Sequence, residues 1–306
     1  MKKMTGKNIL MLFLTAFIWG SAFVAQSVGM DYVGPFTFSC VRSFIGGIFL
    51  IPCIWFLDQW RAKNDGTEGE KKAVSKEEKK MELLGGICCG LALCVATNLQ
   101  QIGMQYTTVG KAGFITALYI VLVPIFGIFL KKKVEARIWV SVMISVVGLY
   151  LLCITDKLVL GKGDTLVLLC AVVFTIHILV IDYFSPKADG VRIACIQFFI
   201  TGILSAIPMF LFETPRLSDI FAAAVPVLYA GVLSSGVAYT LQIVAQKDAD
   251  PTVASLILSL ESVFSVLGGW MILGQKLSIR EIAGCILMFS AIILAQLPEK
   301  SKNEEA

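Results

Sequence analysis

The chain has 306 residues, of which 57% are hydrophobic and 16% charged, with a formal net charge of +4 and a mean hydropathy of +0.81. Soluble domains carry about 25% charged residues, and the charges here are confined to short stretches between long apolar runs. The pattern excludes a soluble α/β protein and predicts an all-α polytopic membrane protein with the lipid bilayer as a partner. No basic–aromatic surface pattern accompanies the positive charges, so we expect no nucleic-acid partner.

Three lysines, Lys2, Lys3 and Lys7, precede the first apolar run, Ile9 to Gly29. The apolar core of a secretory signal peptide has only about 7–15 residues, and Ala25-Gln26-Ser27 matches a cleavage site only loosely. We therefore interpret this run as a retained first helix.

Ten stretches are long enough to cross a bilayer core, which needs about 20 apolar residues in a helix. They comprise residues 9–29, 35–57, 83–103, 111–130, 136–154, 165–184, 190–212, 220–245, 252–273 and 280–297. Most connections are short and contain turn residues. The exception is segment 58–82, whose charged composition predicts a solvated cytoplasmic loop or a short surface helix.

The distribution of Lys and Arg predicts the orientation. With the N-terminus in the cytoplasm, nineteen of these residues lie on the inner side and six on the outer side, and Arg42 lies within a helix. Positive charge concentrates on the cytoplasmic side of membrane proteins. We therefore expect a multi-pass protein of the cytoplasmic (inner) membrane with both termini in the cytoplasm.

Two internal shifts indicate a duplication. A shift of 155 residues pairs Leu14 with Leu169, Ala16 with Ala171, Trp19 with Phe174, Cys40 with Cys195 and Gly47 with Gly202. A shift of 141 residues pairs Gln101 with Gln242 and Gln105 with Gln246. Both shifts map spans one to five onto spans six to ten. Because five is odd, the second half enters the membrane from the opposite side, which predicts two inverted five-helix repeats at residues 9–154 and 163–297.

Several short motifs resemble those of a known family. They are Phe17-Ile18-Trp19-Gly20-Ser21-Ala22-Phe23 with Pro35 and Arg42, then Gly110-Lys111-Ala112-Gly113-Phe114-Ile115-Thr116-Ala117-Leu118 with Pro124, then Gln246-Lys247-Asp248-Ala249-Asp250-Pro251, Leu260-Glu261-Ser262-Val263-Phe264 and Leu273-Gly274-Gln275-Lys276-Leu277-Ser278. In order and spacing they resemble EamA repeats of the drug/metabolite transporter superfamily over residues 9–297. The resemblance implies a ten-helix transporter without ATP hydrolysis, often an exporter of amino acids, related metabolites or toxic compounds.

Two positions depart from the pattern of that family. Its members often have Glu-Pro where this chain has Glu261-Ser262, and Gly-Glu where it has Gly274-Gln275. The corresponding loop of the first half reads Lys131-Lys132-Lys133. These changes leave the expected fold intact but give no support for a functional carboxylate near Gln275.

Ionisable residues inside the membrane cost at least about 2.5–3.5 kcal/mol each on insertion scales, so each needs a physical reason. Glu261 is either a structural hydrogen-bonding or ion-pairing group, or a protonatable coupling or substrate-binding group. Arg42 either extends to the outer interface, pairs with a carboxylate, or holds an anionic group of a substrate. His177, the one histidine of the sequence, is either a packing residue or a proton relay.

Neutral polar and aromatic residues form a second candidate group. Gln101, Gln105, Gln242, Gln246 and Asn98 either join helices or line a polar cavity. Gln101 and Gln105 are expected to share a helix face, as are Gln242 and Gln246. Trp19, Tyr119 and Tyr239 either supply aromatic walls to the same cavity or serve as packing residues and interface anchors.

A transporter of a small-molecule substrate is the function that these features favour. We expect an exporter of amino acids or related metabolites that works by alternating access. An integral-membrane enzyme, a channel and a scaffold are the alternatives, but the sequence contains no catalytic motif or phosphate loop. The nine cysteines lie in apolar runs without C-x-x-C spacing, so we expect no metal, disulfide or cofactor. The sequence is compatible with a homodimer.

Overall fold

The computed structural model describes residues 4–64, 75–132, 134–154, 161–273 and 278–297, which contain helices and turns but no β-strand. Nine helical stretches in these ranges are long and apolar enough to cross a membrane: Gly6–Gly29, Pro35–Lys63, Lys76–Met104, Lys111–Phe129, Ala136–Cys153, Lys162–Phe184, Gly190–Phe212, Ala224–Gln246 and Ile279–Gln296. They match the expected spans one to eight and ten, and the chain is a multi-pass membrane protein. A shorter apolar stretch, Pro251–Leu267, lies where the ninth span was expected.

The helices are numbered in chain order. They are α1 (Gly6–Gly29), α2 (Pro35–Asn64), α3 (Lys76–Met104), α4 (Val109–Ala117), α5 (Tyr119–Phe129), α6 (Ala136–Cys153), α7 (Lys162–Phe184), α8 (Gly190–Phe212), α9 (Leu217–Ala222), α10 (Ala224–Leu228), the π-helical segment (Tyr229–Ala238), α11 (Tyr239–Gln246), α12 (Pro251–Leu258), α13 (Glu261–Leu273) and α14 (Ile279–Gln296).

The expected fourth and ninth spans are each interrupted inside the bundle. At the first break, the Leu118 N–H bonds to the carbonyl of Ile115, 3.2 Å away, and at the second the Leu260 N–H bonds to that of Ile257, 3.1 Å away. These bonds span three residues instead of four, so a tight turn separates α4 from α5 and α12 from α13. The ninth span expected over 252–273 thus consists of two helices, α12 and α13, joined by this turn.

The helices on either side of segment 58–82 extend further than expected. The second helix continues to Asn64 and the third begins at Lys76, where the Ser75 hydroxyl accepts a hydrogen bond from the Glu78 N–H and caps the helix. The ends of this segment are thus helical turns and not loop, while its centre, residues 65–74, lies outside the described residues.

Helices from the first part of the chain pack mainly on helices from the second part. The most extensive pairings are α6 with α14, α2 with α8, and α3 with both α7 and α8, and α1 packs on α13. Two glycines permit close approaches between the two parts of the chain. A Cβ atom at Gly90 would lie 2.7 Å from Ile200, and one at Gly231 would lie 2.6 Å from Ile45. The Gly86/Gly90 face of α3 is therefore a packing surface, as small residues at this spacing indicate.

The π-helical segment contacts both α1 and α2 near the middle of the bundle. The Thr15 hydroxyl donates to the carbonyl of Ala238 at 3.1 Å, and the Ser21 and Tyr229 hydroxyls lie 2.5 Å apart. A π-helix has a wider turn than an α-helix and is often found at functional sites. Here it brings Ser234 to the wall of an internal cavity.

Candidate functional site

A cavity with polar and aromatic walls lies inside the bundle, where helices from both parts of the chain meet, and it includes about 480 Å³ of atom-free space, part of which is open to solvent. It is lined by Trp19, Phe23, Gln26, Arg42, Gln100, Thr116, Tyr119, Phe174, His177, Ile178, Ser234, Tyr239, Gln242 and Glu261. Seven of the eleven residues singled out from the sequence are in this set: Trp19, Arg42, Tyr119, His177, Tyr239, Gln242 and Glu261.

Glu261 reaches the cavity because a helix break precedes it. It is the first residue of α13, and Tyr119 is the first residue of α5, directly after the other break. The Tyr119 hydroxyl donates to Glu261 Oε1 at 3.1 Å, and Glu261 is only 4% exposed. A carboxylate in the first turn of a helix is favoured by the helix dipole. The two breaks thus position one acidic group and its hydrogen-bond donor.

A close contact between α1 and α13 sets the position of Glu261 relative to Trp19. At Gly20, a Cβ atom would lie 2.5 Å from the carbonyl oxygen of Glu261 and 2.6 Å from the Cβ atom of Phe264. Only glycine fits this approach without a shift of one of the helices. The Trp19-Gly20 pair therefore places an indole ring and the start of α13 side by side.

Arg42 is 4% exposed and lines the cavity from α2. It does not extend to the surface of the bundle, which does not match the outer-interface alternative. Its guanidinium lies over the ring of Phe38, 5.8 Å from the centroid. Among the described residues, none forms an ion pair with it or accepts a hydrogen bond from it.

His177 is fully buried on α7, with Nε2 lying 3.1 Å from Oε1 of Gln197 on α8. Its Nδ1 atom has no hydrogen-bond partner among the described residues. The ring lies edge-on to Tyr239, at a centroid distance of 6.0 Å, and Tyr239 in turn lies 4.6 Å from Trp19. One histidine nitrogen is thus held by α8, and an aromatic wall runs from α1 to α7.

The other polar candidates occupy different places. Gln101 donates to the carbonyl of Gln26 at 3.3 Å, Gln246 to that of Ile178 at 3.4 Å, and Asn98 to the Ser205 hydroxyl at 2.9 Å. Each of these bonds joins two helices, as the structural alternative anticipated.

Gln105 caps the end of α3 and is exposed. It does not share a buried face with Gln101, because the helix ends at Met104. The expected Gln101/Gln105 face was therefore wrong, whereas the Gln242 and Gln246 side chains are both buried on α11.

Comparison with known proteins agrees with the motifs. The EamA-like transporter family matches residues 6–154 and, separately, residues 161–297. The chain belongs to this family. Membership places it in the drug/metabolite transporter superfamily.

Two curated relatives of this EamA-family chain are described as uncharacterized transporters. One, from Archaeoglobus fulgidus, is 32% identical over 287 residues, covering 94% of this chain and 84% of the relative. The other, YoaV of Bacillus subtilis, is 22% identical over 294 residues, covering 94% of this chain and 96% of the relative. A solved crystal structure has the same fold, with a TM-score of 0.73, 18% identity and coverage of 94% of this chain and 96% of that one.

One departure from the EamA pattern has a structural explanation. Ser262, where many EamA members have proline, donates from its hydroxyl to the carbonyl of Gly113 at 3.3 Å and so joins α13 to α4. The second departure, Gly274-Gln275, lies outside the described residues, as does Lys133 of the first-half loop.

Sequence reasoning missed several cavity residues of this EamA chain. Gln26 is a polar amide within an apolar run, and this position in the sequence could have identified it as a candidate. Its Oε1 atom is buried without a hydrogen-bond partner among the described residues. Gln100 was not missed, because the sequence marks it, beside Gln101, as part of the polar end of the third span; it donates to the Thr116 hydroxyl at 3.2 Å across the α3–α4 junction. Phe174 is the residue that the 155-residue shift pairs with Trp19, and that pairing could have identified it, whereas Ser234 carried no distinguishing signal. In the part of the chain that the structure describes, no three His, Cys, Asp or Glu residues are grouped as metal ligands.

Proposed function

We propose that this protein is a secondary active transporter that exports amino acids or related small metabolites by alternating access. One observation carries the proposal: Arg42 and Glu261 line a single cavity deep inside apolar helices. Burying a charged side chain within the membrane costs at least about 2.5–3.5 kcal/mol. A substrate that binds both side chains would offset this cost and would explain why they lie in the cavity. Export is the direction that the family resemblance implies.

We further propose that residues 9–154 and 163–297 are two inverted halves with the cavity between them. The shift of 141 residues that aligns the sequence relates Gly90 to Gly231, and the shift of 155 residues relates Ile45 to Ile200. The contact of Gly90 with Ile200 is therefore equivalent to the contact of Gly231 with Ile45. The helix breaks at Leu118 and Ser259 are also 141 residues apart. Equivalent contacts in both halves support a pseudo-twofold axis, along which many transporters place their substrate site.

The driving force in this proposal is a gradient, because the sequence contains no phosphate-binding loop. Glu261 is the group through which protons would couple to transport, since a carboxyl group in an apolar site can exchange its proton as its surroundings change. Both termini face the cytoplasm in this arrangement. Reporter fusions at the two ends would test that orientation, and ends on opposite sides would contradict it.

Counterflow in proteoliposomes tests transport directly. Vesicles loaded with an unlabelled amino-acid mixture should accumulate a ¹⁴C-labelled mixture of the same composition when they contain this protein. Ser234→Phe, which fills the cavity, should abolish accumulation. Leu233→Phe, at the neighbouring exposed position, should retain it. Equal accumulation with and without protein, or full activity of Ser234→Phe, would contradict the proposal.

A further inference from the structure

Two buried charges of the cavity are left with few protein partners. A guanidinium offers five N–H donors, yet no described residue accepts a hydrogen bond from Arg42. Among the described residues, the two carboxyl oxygens of Glu261 receive one hydrogen bond between them, from Tyr119. Buried charged groups are normally paired or fully hydrogen-bonded. The protein therefore leaves both an anion-binding and a cation-binding group unused.

These two groups are not in direct contact with one another. Arg42 and Glu261 form no ion pair, although both line the same cavity. Arg42 comes from α2 in the first proposed half, and Glu261 comes from α13 in the second. The cavity between them contains further unpaired groups: the Trp19 Nε1 donor and the Oε1 acceptors of Gln26 and Gln242. Donors and acceptors are thus both available to a ligand that spans the space.

The charge of the ligand follows from this arrangement. An anion would satisfy Arg42 but leave Glu261 buried without compensation, and a cation would do the reverse. A molecule with one anionic and one cationic group satisfies both and adds no net charge to the cavity. The rings of Trp19 and Tyr239, 4.6 Å apart, provide an apolar surface for the rest of such a molecule.

We infer that the cavity recognises a zwitterionic amino acid through two poles, with the carboxylate bound by Arg42 and the ammonium group by Glu261. The inference rests on the proposed transport function for its account of how the ligand enters and leaves. Recognition requires both charged groups of the ligand, so it differs from selection by size or apolarity. The planar guanidinium suits a carboxylate, which it can bind through two parallel hydrogen bonds.

Binding measurements on the purified full-length protein test the inference. Thermal-shift screening of the natural L-amino acids at neutral pH identifies the strongest ligand, and calorimetry then compares that amino acid with its C-terminal amide and its N-acetyl derivative. Each derivative should bind at least about tenfold more weakly, since each loses a charge-assisted contact. Failure of every amino acid to bind, or equal binding of either derivative, would overturn the inference.

Variants test which residue binds which charged group of the amino acid. Arg42→Gln should bind the amide as well as the free acid, and Arg42→Lys should restore part of the preference. Glu261→Gln should bind the N-acetyl derivative as well as the free amine. Arg192→Gln, at a helix end where Arg192 bonds to Asp58, should keep the wild-type preferences. A wild-type acid-to-amide ratio in Arg42→Gln would contradict the assignment. If that variant does not fold, the derivatives measured on the wild-type protein decide the question.

Binding and counterflow can fail separately. A protein that binds the zwitterion but gives no counterflow would contradict the proposed transport and leave the two-pole site standing. Counterflow confined to cations or to anions would support transport and overturn the two-pole site.

Discussion

Two acidic side chains, Asp164 and Glu261, are 2% and 4% exposed, but their surroundings differ. Asp164, at the start of α7, accepts hydrogen bonds from the Gly161 N–H, the Thr107 hydroxyl and the Lys111 ammonium group. Glu261 accepts one, from Tyr119, and faces the cavity. Because an uncompensated buried charge is costly, the comparison supports the proposal that fully bonded charges such as Asp164 stabilise the fold, whereas the sparsely bonded charge of Glu261 binds a ligand.

The same contrast holds for the arginines. Arg192 bonds to Asp58 and Arg61 to Asp189, both at helix ends. Arg42 lies over the ring of Phe38 and has no carboxylate partner among the described residues. Substitutions at helix ends should therefore change stability, and substitutions in the cavity should change binding.

The largest effect on stability is expected for Asp164→Ala. Removal of a buried ion-pair partner costs about 3–5 kcal/mol, and we expect the lower end because the Lys111 side chain is 23% exposed. Thermal unfolding in detergent should show a clearly lower Tm, with ligand binding by the folded fraction unchanged. Asp31→Ala, at an exposed loop position, is the control. An unchanged Tm would break the comparison.

Gly20→Ala should have the next largest effect. Its Cβ atom would overlap the Glu261 carbonyl and Phe264, and overpacking of this kind costs about 1–3 kcal/mol. The shift of α13 should also weaken ligand binding, because it moves Glu261. Gly6→Ala has no atom within 4 Å of the new Cβ and should leave Tm and binding unaltered. Wild-type binding by Gly20→Ala would show that this contact does not position Glu261.

Asp189→Asn should have a smaller effect that depends on pH. Burial favours the neutral acid, but the bond from Arg61 and the N–H groups of Arg192 and Val191 outweigh it and lower the pKa of Asp189 below its usual 3.8. The ionised carboxylate therefore stabilises the fold above that value, and the stabilisation is lost as pH falls through the folded-state pKa.

Chemical unfolding should show that the free energy of unfolding of Asp189→Asn is lower than that of the wild type by about 0.5–1 kcal/mol near neutral pH. The difference is small because Arg61 is half exposed and Asn can still cap α8. The gap should close at strongly acidic pH. A gap that widens on acidification would mean that the ionised carboxylate destabilises the fold.

Glu261→Gln should affect stability least. The amide oxygen can still accept the Tyr119 hydrogen bond, and the change removes a buried charge that has no ionic partner among the described residues. Tm should stay within a few degrees of wild type, corresponding to less than about 1 kcal/mol. Counterflow should be lost over the whole pH range in which the wild-type protein is active. Unchanged transport with unchanged pH dependence would mean that Glu261 has only a structural role.

The apolar runs were sufficient to predict most membrane spans, because the bilayer fixes their length and composition. The breaks at Leu118 and Ser259 could not be predicted, since neither glycine nor proline lies there. Arg42 and Glu261 stood out because charge is rare in such helices. That they share a cavity without pairing, and that Gln105 lies beyond the end of α3, depended on helix ends and packing that composition does not specify.

Access to Ser234 from the two sides of the membrane tests the central claim most directly. In right-side-out and inside-out vesicles, Ser234→Cys can be treated with a membrane-impermeant thiol reagent, and the adduct at residue 234 quantified by mass spectrometry of its peptide. Alternating access predicts labelling from both sides, with excess amino acid slowing it. No labelling from either side, or labelling from one side only whatever the ligand, would contradict a cavity that opens to each side in turn.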